Sequence, residues 1–199
     1  MKANSAGFTL LEMMLVVTLL AVILGVGLPN FREFIRNSRM TAATNDIVTD
    51  FNLARSESVK RRVPVTLCKS QNGTSCDADA TAPFRSWIVF VDDADAAVVN
   101  GNDGNGVVDA NEVVLRQRTI ADTITVYTNA NARLAIFQPT GFPRVTAGGH
   151  VSDFRLCDDR KNAISVGGSS AARAIRILPT GRPVATRDKS TIESLGGCP

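Results

Sequence analysis

Glu12 has the most unusual setting in the chain, because from Phe8 to Leu28 it is the single charge in an otherwise apolar stretch. A carboxylate inside a bilayer costs on the order of 2.5 to 3.5 kcal/mol, so such an acid calls for a partner and a task. Cleavage after Gly7 would supply the partner. The new amino group on Phe8 would be a cation at the tip of the same apolar rod, with Glu12 the fifth residue of the mature chain. Within one helix the amine and the carboxylate compete with the first-turn backbone, but between staggered neighbours they can neutralise each other in a low dielectric. This chemistry is that of assembly. The competing reading is an ordinary secretory signal peptide cut after Gly27, since Gly25-Val26-Gly27 places small residues ahead of Pro29. That product would be a freely diffusing enzyme or binding domain.

Residues Gly101 to Glu112 follow a calcium-loop frame. With Gly106 in the sixth position, Asp103 is third, Asn105 fifth, Asp109 ninth and Glu112 twelfth, and apolar Val108 is eighth. The first position is Gly101, which has no side-chain oxygen, although Asn100 or Asp95 could reach in. The same residues also suit a plain hairpin loop in which Asn and Gly adopt left-handed conformations. Calcium is the one cofactor the sequence suggests. In the last third of the chain stand Arg173, Arg176, Arg182, Arg187 and Lys189, preceded by Arg144, Arg155, Arg160 and Lys161. Gathered on one face, these cations would bind phosphates without reading sequence, and binding would weaken steeply with salt. No aromatic stacking partners lie nearby, which disfavours single-strand readout. Alternatively they belong to a solvated edge strand whose charges discourage further pairing.

Catalytic chemistry is poorly represented. The single histidine, His150, follows Gly148-Gly149 in a loop, and nothing orients it with the Ser165 to Ser170 stretch and Asp153 or Asp158. There is no Gly-x-Ser-x-Gly elbow, no HExxH and no CxxC. The expectation is a protein that is not an enzyme.

Of the 199 residues, 44% are hydrophobic and 21% charged, a composition too apolar for disorder and too charged for a polytopic membrane protein. The net charge of +3 hides a pattern. Residues 30 to 62 carry seven Lys/Arg against four Asp/Glu, residues 63 to 112 two against eight, and residues 113 to 199 twelve against six. An acidic middle is thus flanked by two basic regions. The four cysteines, Cys68, Cys76, Cys157 and Cys198, suit two disulfides in an oxidising compartment. Three pairings can be drawn; proximity favours Cys68 with Cys76, leaving Cys157 to hold Cys198.

The elements that must position these groups begin with a helix. At about 1.5 Å per residue, some twenty apolar residues just cross a hydrocarbon core of about 30 Å. Beyond Pro29, residues Phe31, Phe34, Ile35, Ile47, Val48, Phe51 and Ala54 recur at helical spacing, with Asp46, Asp50, Arg32, Arg36 and Arg39 assigned to the wet side. Gly25, Gly27 and Pro29 predict a kink or local loosening between the halves. The pattern fades at Arg61-Arg62, and Pro64 forbids continuation. Strand-forming runs follow at 63–68, 87–91, 113–117, 123–128, 134–138, 154–157 and 174–178, separated by Gly, Asn, Asp and Pro. Trp87 is expected in the core. Two steps, Gln138-Pro-Thr-Gly and Leu178-Pro-Thr-Gly, look like strand-ending turns with Gly141 and Gly181 at positive φ. The expected fold class is α+β: a long N-terminal helix, half transmembrane and half amphipathic, packed on an antiparallel head of one or two sheets.

Gly7-Phe8-Thr9-Leu10-Leu11-Glu12 and the apolar run after it resemble the class III signal of type IV pilins and pseudopilins. The resemblance implies cleavage after Gly7 by a prepilin peptidase, N-methylation of Phe8 and a role for Glu12 in filament assembly. A finer resemblance is to the GspH/FimT branch of minor pilins and pseudopilins. It is carried by Leu67-Cys68, Trp87-Ile88-Val89-Phe90 before the acidic loop, Leu156-Cys157-Asp158 and Pro179-Thr180-Gly181-Arg182. The implied organisation is a leader at 1–7, a transmembrane and filament-stem helix at 8–28, its amphipathic half at 29–62, and a periplasmic head at 63–199. The implied partners are other pilins through the helix, the peptidase and an inner-membrane assembly platform, with Lys2 on the cytoplasmic side. Some FimT-type proteins are DNA receptors with a Gly-Arg-x-Arg motif. Here the motif is Gly181-Arg182-Pro183-Val184, so Val184 replaces the second arginine.

Overall fold

The computed structural model describes residues 7–79, 82–93, 104–109, 111–128, 134–144, 152–165 and 167–199. Lys2, Asp95, Asn100, Gly101, Asp103 and His150 lie outside the described residues. The chain divides into two compact units, one up to Arg39 and one from Met40 onward. A single helix, α1 (Leu10–Arg61), contributes to both. Its backbone stays helical through the Gly25–Pro29 stretch. In the first unit the described side chains from Leu10 to Gly25 are all exposed, and α1 is long and apolar enough to cross a membrane.

Helix α1 ends where backbone chemistry requires. Lys60 and Arg61 lie in the last turn, where cations face the negative end of the helix dipole. Arg62 takes the left-handed conformation, φ 61°, and Pro64 then sets the chain extended. Eight strands and a short helix follow: β1 (Val65–Lys69), β2 (Ser86–Val91), β3 (Val114–Thr119), β4 (Thr125–Thr128), β5 (Leu134–Phe137), β6 (Asp153–Cys157), β7 (Arg173–Ile177), β8 (Pro183–Thr186) and α2 (Lys189–Ser194). They form two four-stranded sheets, ordered β3-β2-β1-β5 and β4-β6-β7-β8, with every pairing antiparallel. The fold is therefore α+β with two sheets. Strand limits differ from the sequence expectation by a residue or two, and β8 and α2 are additions to it.

Both sheets share the core with α1. Met40, Ala43, Ile47, Phe51 and Ala54 of α1 pack with Val65, Leu67, Trp87, Val89, Ala135 and Phe137 of the first sheet, and the same cluster includes Val126, Phe154, Leu156, Ile175 and Ile177 of the second. Phe51 meets Phe137 edge-on at 6.0 Å between ring centroids and Phe154 at 5.1 Å. Strand β1 is buried along its whole length, because its sheet has two covered faces. Strand alternation sends Trp87 and Val89 to the helix and Ile88 and Phe90 to the opposite side, where Cys68 and Ile136 join them under Cys76, Val108 and Val114.

The two Pro-Thr-Gly steps are the same turn used twice. Gly141 N–H donates to Gln138 C=O at 2.8 Å and Gly181 N–H to Leu178 C=O at 2.8 Å, with φ of 78° and 79° at the glycines. The turns meet across the sheets. A Cβ on Gly181 would lie 2.8 Å from the Gly141 carbonyl oxygen, so the approach requires its bare backbone.

One expectation is overturned inside this core. Asp50 was assigned to the wet face of the helix, yet its residue exposure is 0%. Its Oδ2 accepts the Trp87 indole N–H at 2.8 Å and the Arg118 Nε–H at 3.0 Å, while Arg116 Nη1 stands 3.6 Å from Oδ1. Arg118 also reaches Asp46 at 2.9 Å. A buried carboxylate is tolerable when every lone pair is used, and Asp50 so ties α1 to β2 and β3. Removing it strands a buried indole N–H and a guanidinium. Asp50→Ala is expected to lower stability by about 3 to 5 kcal/mol, against about 1 kcal/mol or less for the half-exposed Asp46→Ala. Chemical denaturation of the detergent-solubilised chain checks this, and equal effects of the two substitutions would contradict it.

Candidate functional site

At the start of the stem, Thr9 and Glu12 close the first turn of α1 on each other. Glu12 N–H donates to Thr9 Oγ1 at 3.3 Å and Thr9 N–H to Glu12 Oε2 at 3.4 Å. This is a capping box, which satisfies two of the donors a helix start leaves bare. The signal was present as Thr-x-x-Glu and was missed beside the more unusual charge. Phe8 is 79% exposed, and nothing lies within 4 Å of a Cβ placed on Gly7, so the junction between them is open. Thr18, the other polar residue of the stretch near it, turns its hydroxyl onto the Met14 and Leu15 carbonyls. Such back-bonding makes a hydroxyl tolerable in hydrocarbon.

Around the acidic loop, Asp92 just beyond β2 is the organising residue. Its exposure is 1%, its backbone carbonyl accepts Gly104 N–H at 3.0 Å, and its Oδ2 accepts Gly106 N–H at 3.0 Å and the Thr66 hydroxyl. Burial pushes the Asp92 carboxyl up, against the hydrogen bonds from Thr66 and Gly106. Its Oδ1 is buried with no hydrogen-bond partner among the described residues. Asn105 Oδ1 accepts Val107 N–H at 2.6 Å, Asn105 Nδ2 donates to Asp109 Oδ2 at 3.3 Å, and Asp109 N–H donates to Glu112 Oε2 at 2.9 Å. Burial raises the Glu112 pKa to about 7, opposed by the Asp109 N–H and reinforced by the charges of Asp92, Asp109 and Asp93. Of the calcium-loop residues, Asn105, Asp109 and Glu112 are thus brought together, and Asp103 lies outside the described residues. Among the described residues no three His, Cys, Asp or Glu side chains are gathered closely enough to hold a metal ion as they stand.

The basic residues are not one face. Arg173 is a correction to the phosphate-binding set: it is 4% exposed, and its Nη1 donates to the carbonyls of Ser170, Ala171 and Ala172 at 3.0, 2.8 and 3.1 Å. Burial, with Arg187 and Arg160 nearby, lowers its pKa to about 10. Arg176 points outward but pairs with Asp153 at 3.0 Å, and Lys189 stands 3.6 Å from Glu193. Arg187 reaches Ser165 Oγ at 3.3 Å, and Arg182 is exposed in the β7–β8 turn. Strand β8 is an edge of its sheet.

Two disulfides fasten the head. Cys68 is bonded to Cys76, and Cys157 to Cys198. The second bond sits beside α2, whose Ile192 is fully buried against Ala172 and Ala174. Gly196 and Gly197, at φ 104° and 60°, turn the chain out of α2, and Arg155 Nη1 donates to the Gly197 carbonyl at 2.7 Å. Asp188 caps the helix start. Hydrogen bonds from Ser190 and then Thr191 hold its carboxyl at about 2, below the ordinary 3.8.

An exposed apolar helix that starts at a Gly-Phe junction, carries one capped carboxylate and continues into an antiparallel head defines a protein of the pilin type. The chain belongs to the family of type II transport protein GspH, whose family model matches residues 43–181, and the prokaryotic N-terminal methylation motif matches residues 2–28. The family is one of structural pilins and pseudopilins that associate in filaments. Two crystal forms of the type IV minor pilin FimU from Pseudomonas aeruginosa are similar to it. One is 16% identical with a TM-score of 0.49 over 79% of this chain and 94% of that one; the other is 15% identical with 0.47 over 75% and 94%. Comparison with curated proteins finds no match.

The lowered Asp188 pKa fixes a sign. Because the carboxyl is more acidic folded than unfolded, its contribution to α2 is complete above pH about 4 and is lost as pH falls through about 2. Asparagine caps as well as aspartate but does not titrate. Amide hydrogen exchange at Thr191 and Ile192, corrected for intrinsic rate, is expected to accelerate on acidification in the wild type and to stay flat in Asp188→Asn; identical profiles would refute the assignment.

Proposed function

We propose that this chain is a minor pilin or pseudopilin that acts in the assembly or priming of a type IV pilus or type II secretion pseudopilus, near the filament tip, without catalytic activity. The observation that carries the reading is the Leu10–Gly25 segment: a helix exposed on all sides, apolar throughout, with Glu12 as its one carboxylate. In this reading a prepilin peptidase cuts between Gly7 and Phe8 and the new amine is methylated. The helix first anchors the protein in the inner membrane, with the head and its disulfides in the periplasm. An assembly platform then extracts it, and the same apolar surface exchanges lipid for neighbouring stems, with little loss of hydrophobic free energy. Glu12 selects the register by meeting the Phe8 amine of the next subunit.

A pilus-mounted DNA receptor is the weaker reading. Of the five cations it would use, Arg173 is buried and Arg176 and Lys189 are paired with acids, which leaves Arg182 and Arg187 facing solvent.

Because Glu12 also caps its own helix, the test must separate charge from capping. Glutamine closes a capping box as glutamate does but carries no charge. Glu12→Gln is expected to insert into membranes normally and to be lost from sheared filaments roughly as severely as Glu12→Ala, by about a hundredfold or more, the scale of breaking one buried charge pair. Filament incorporation restored by Gln would show that the cap, not the charge, is what matters. Sequencing of the mature N-terminus is expected to begin at Phe8, and a start after Gly27 would replace the whole reading with that of a secreted domain.

A further inference from the structure

We infer that residues 31–39 of α1 form a headgroup-level contact surface for anionic phospholipid, in which Arg32, with Arg36 and Arg39 behind it, meets the phosphates of the membrane that the stem spans. This surface presupposes the membrane-anchored stage proposed above. The apolar run ends at Leu28, and the first buried side chain among the described residues of the helix is Met40. Between them lie three arginines, all exposed, against one acid, Glu33. Arg32, Arg36 and Arg39 are spaced by four and three residues and so share one stripe of the helix. Phe31 and Phe34 stand on the flank beside it, both more than half exposed. A basic stripe next to exposed aromatic rings is the composition that a membrane interface selects.

The depth of each arginine follows from the helix rise. At about 1.5 Å per residue, Arg32 lies about 6 Å beyond Leu28, Arg36 about 12 Å and Arg39 about 16 Å. A bilayer of about 40 to 45 Å with a hydrocarbon core of about 30 Å leaves about 5 to 7 Å for the headgroups on each side. Arg32 is therefore at phosphate level whenever Leu28 marks the edge of the core. Long side chains on a helix lean toward its N-terminus, here toward the lipid, so the guanidinium of Arg36 is carried back toward the same level. Arg39 stays farther out and acts through the surface field, which decays over about 10 Å in 0.1 M salt. The planar guanidinium suits phosphate, which it can hold through two parallel N–H donors. A neighbouring stem offers the stripe less, because its acids through Asn45 are Glu33 and Glu12, the latter about 30 Å down the helix from Arg32.

The test is electron spin resonance of the full chain reconstituted in phosphatidylcholine vesicles, with a trace of spin-labelled phosphatidylglycerol or spin-labelled phosphatidylcholine reporting the lipid restricted at the protein. At low salt the wild type is expected to hold phosphatidylglycerol about fivefold more strongly than the Arg32→Gln/Arg36→Gln/Arg39→Gln variant does, the effect of about one cation at a membrane surface. Comparing the two cancels the contribution of Lys2, before the other end of the span. Both are expected to restrict phosphatidylcholine equally. Of the single variants, Arg32→Gln is expected to lose most and Arg39→Gln least, and 1 M salt to remove most of the preference. Arg85→Gln, at an exposed arginine of the head, is expected to change nothing. Wild-type preference retained in the triple variant would overturn the surface. So would restriction of phosphatidylcholine by the wild type with no preference for phosphatidylglycerol, and loss of the triple variant from filaments would then assign the arginines to a neighbouring subunit. A chain that restricts neither lipid would overturn the anchored stage itself, and the surface with it.

Discussion

Phe51 touches both sheets, edge-on to Phe137 in one and to Phe154 in the other, and this double contact is what makes one head out of two four-stranded layers. Each sheet alone is too small to bury its apolar face. Their common wall is the Met40–Ala54 segment of α1, which contributes five residues at or near zero exposure to the same cluster as both sheets. The head therefore cannot be separated from the helix at Pro64, where strand chemistry begins. It begins at Met40, inside the helix, where the apolar stripe passes from exposed to buried.

Buried polar groups refine that packing. Asp50 gives the interface direction: its two oxygens draw the Trp87 indole from β2 and Arg118 from β3 onto one point of the helix. Hydrophobic contacts alone would allow α1 to slide or rotate along the sheet by a side chain. A carboxylate that must meet an indole N–H and a guanidinium at the same time does not allow it. Arg173 does comparable work in the second sheet, where one guanidinium nitrogen gathers three successive carbonyls leading into β7. In both places a charge that could have decorated the surface instead fixes how the chain enters a strand or meets it.

These two residues also explain where the sequence was legible and where it was not. Periodicity located α1 and its end at Arg61, alternation and turn residues located seven strands, and Pro-Thr-Gly located two turns, because each of these depends on local backbone preference. Asp50 and Arg173 were placed on the surface because charge is the usual mark of solvent, and only tertiary partners far along the chain, at Trp87 and Arg118 for the first, reverse it. Strand β8 and helix α2 were missed for a different reason. β8 has one proline and two exposed residues in four, an edge pattern too short to alternate, and α2 has six residues, too few to show a period. At the candidate sites, the Thr9–Glu12 cap follows from local spacing, whereas the hydrogen bonds that Asp92 accepts from Gly104 and Gly106 join residues twelve and fourteen positions apart.

The N-terminal segment shows the opposite economy. Every described side chain from Leu10 to Gly25 is exposed, as the proposed passage between two apolar surroundings would require. In lipid and in a filament alike, backbone groups must be satisfied within the helix, and the first turn is the weak point because its N–H groups have no partners upstream. Thr9 and Glu12 meet that need without help from the head or from solvent. Under the proposed cleavage at Gly7, the same carboxylate would have two alternative donors, its own first turn or the amine of a neighbour. Exchange of one for the other would keep the carboxylate hydrogen-bonded at each stage of the proposed transfer, which is the physical condition for moving an acid from a bilayer into a bundle of apolar helices.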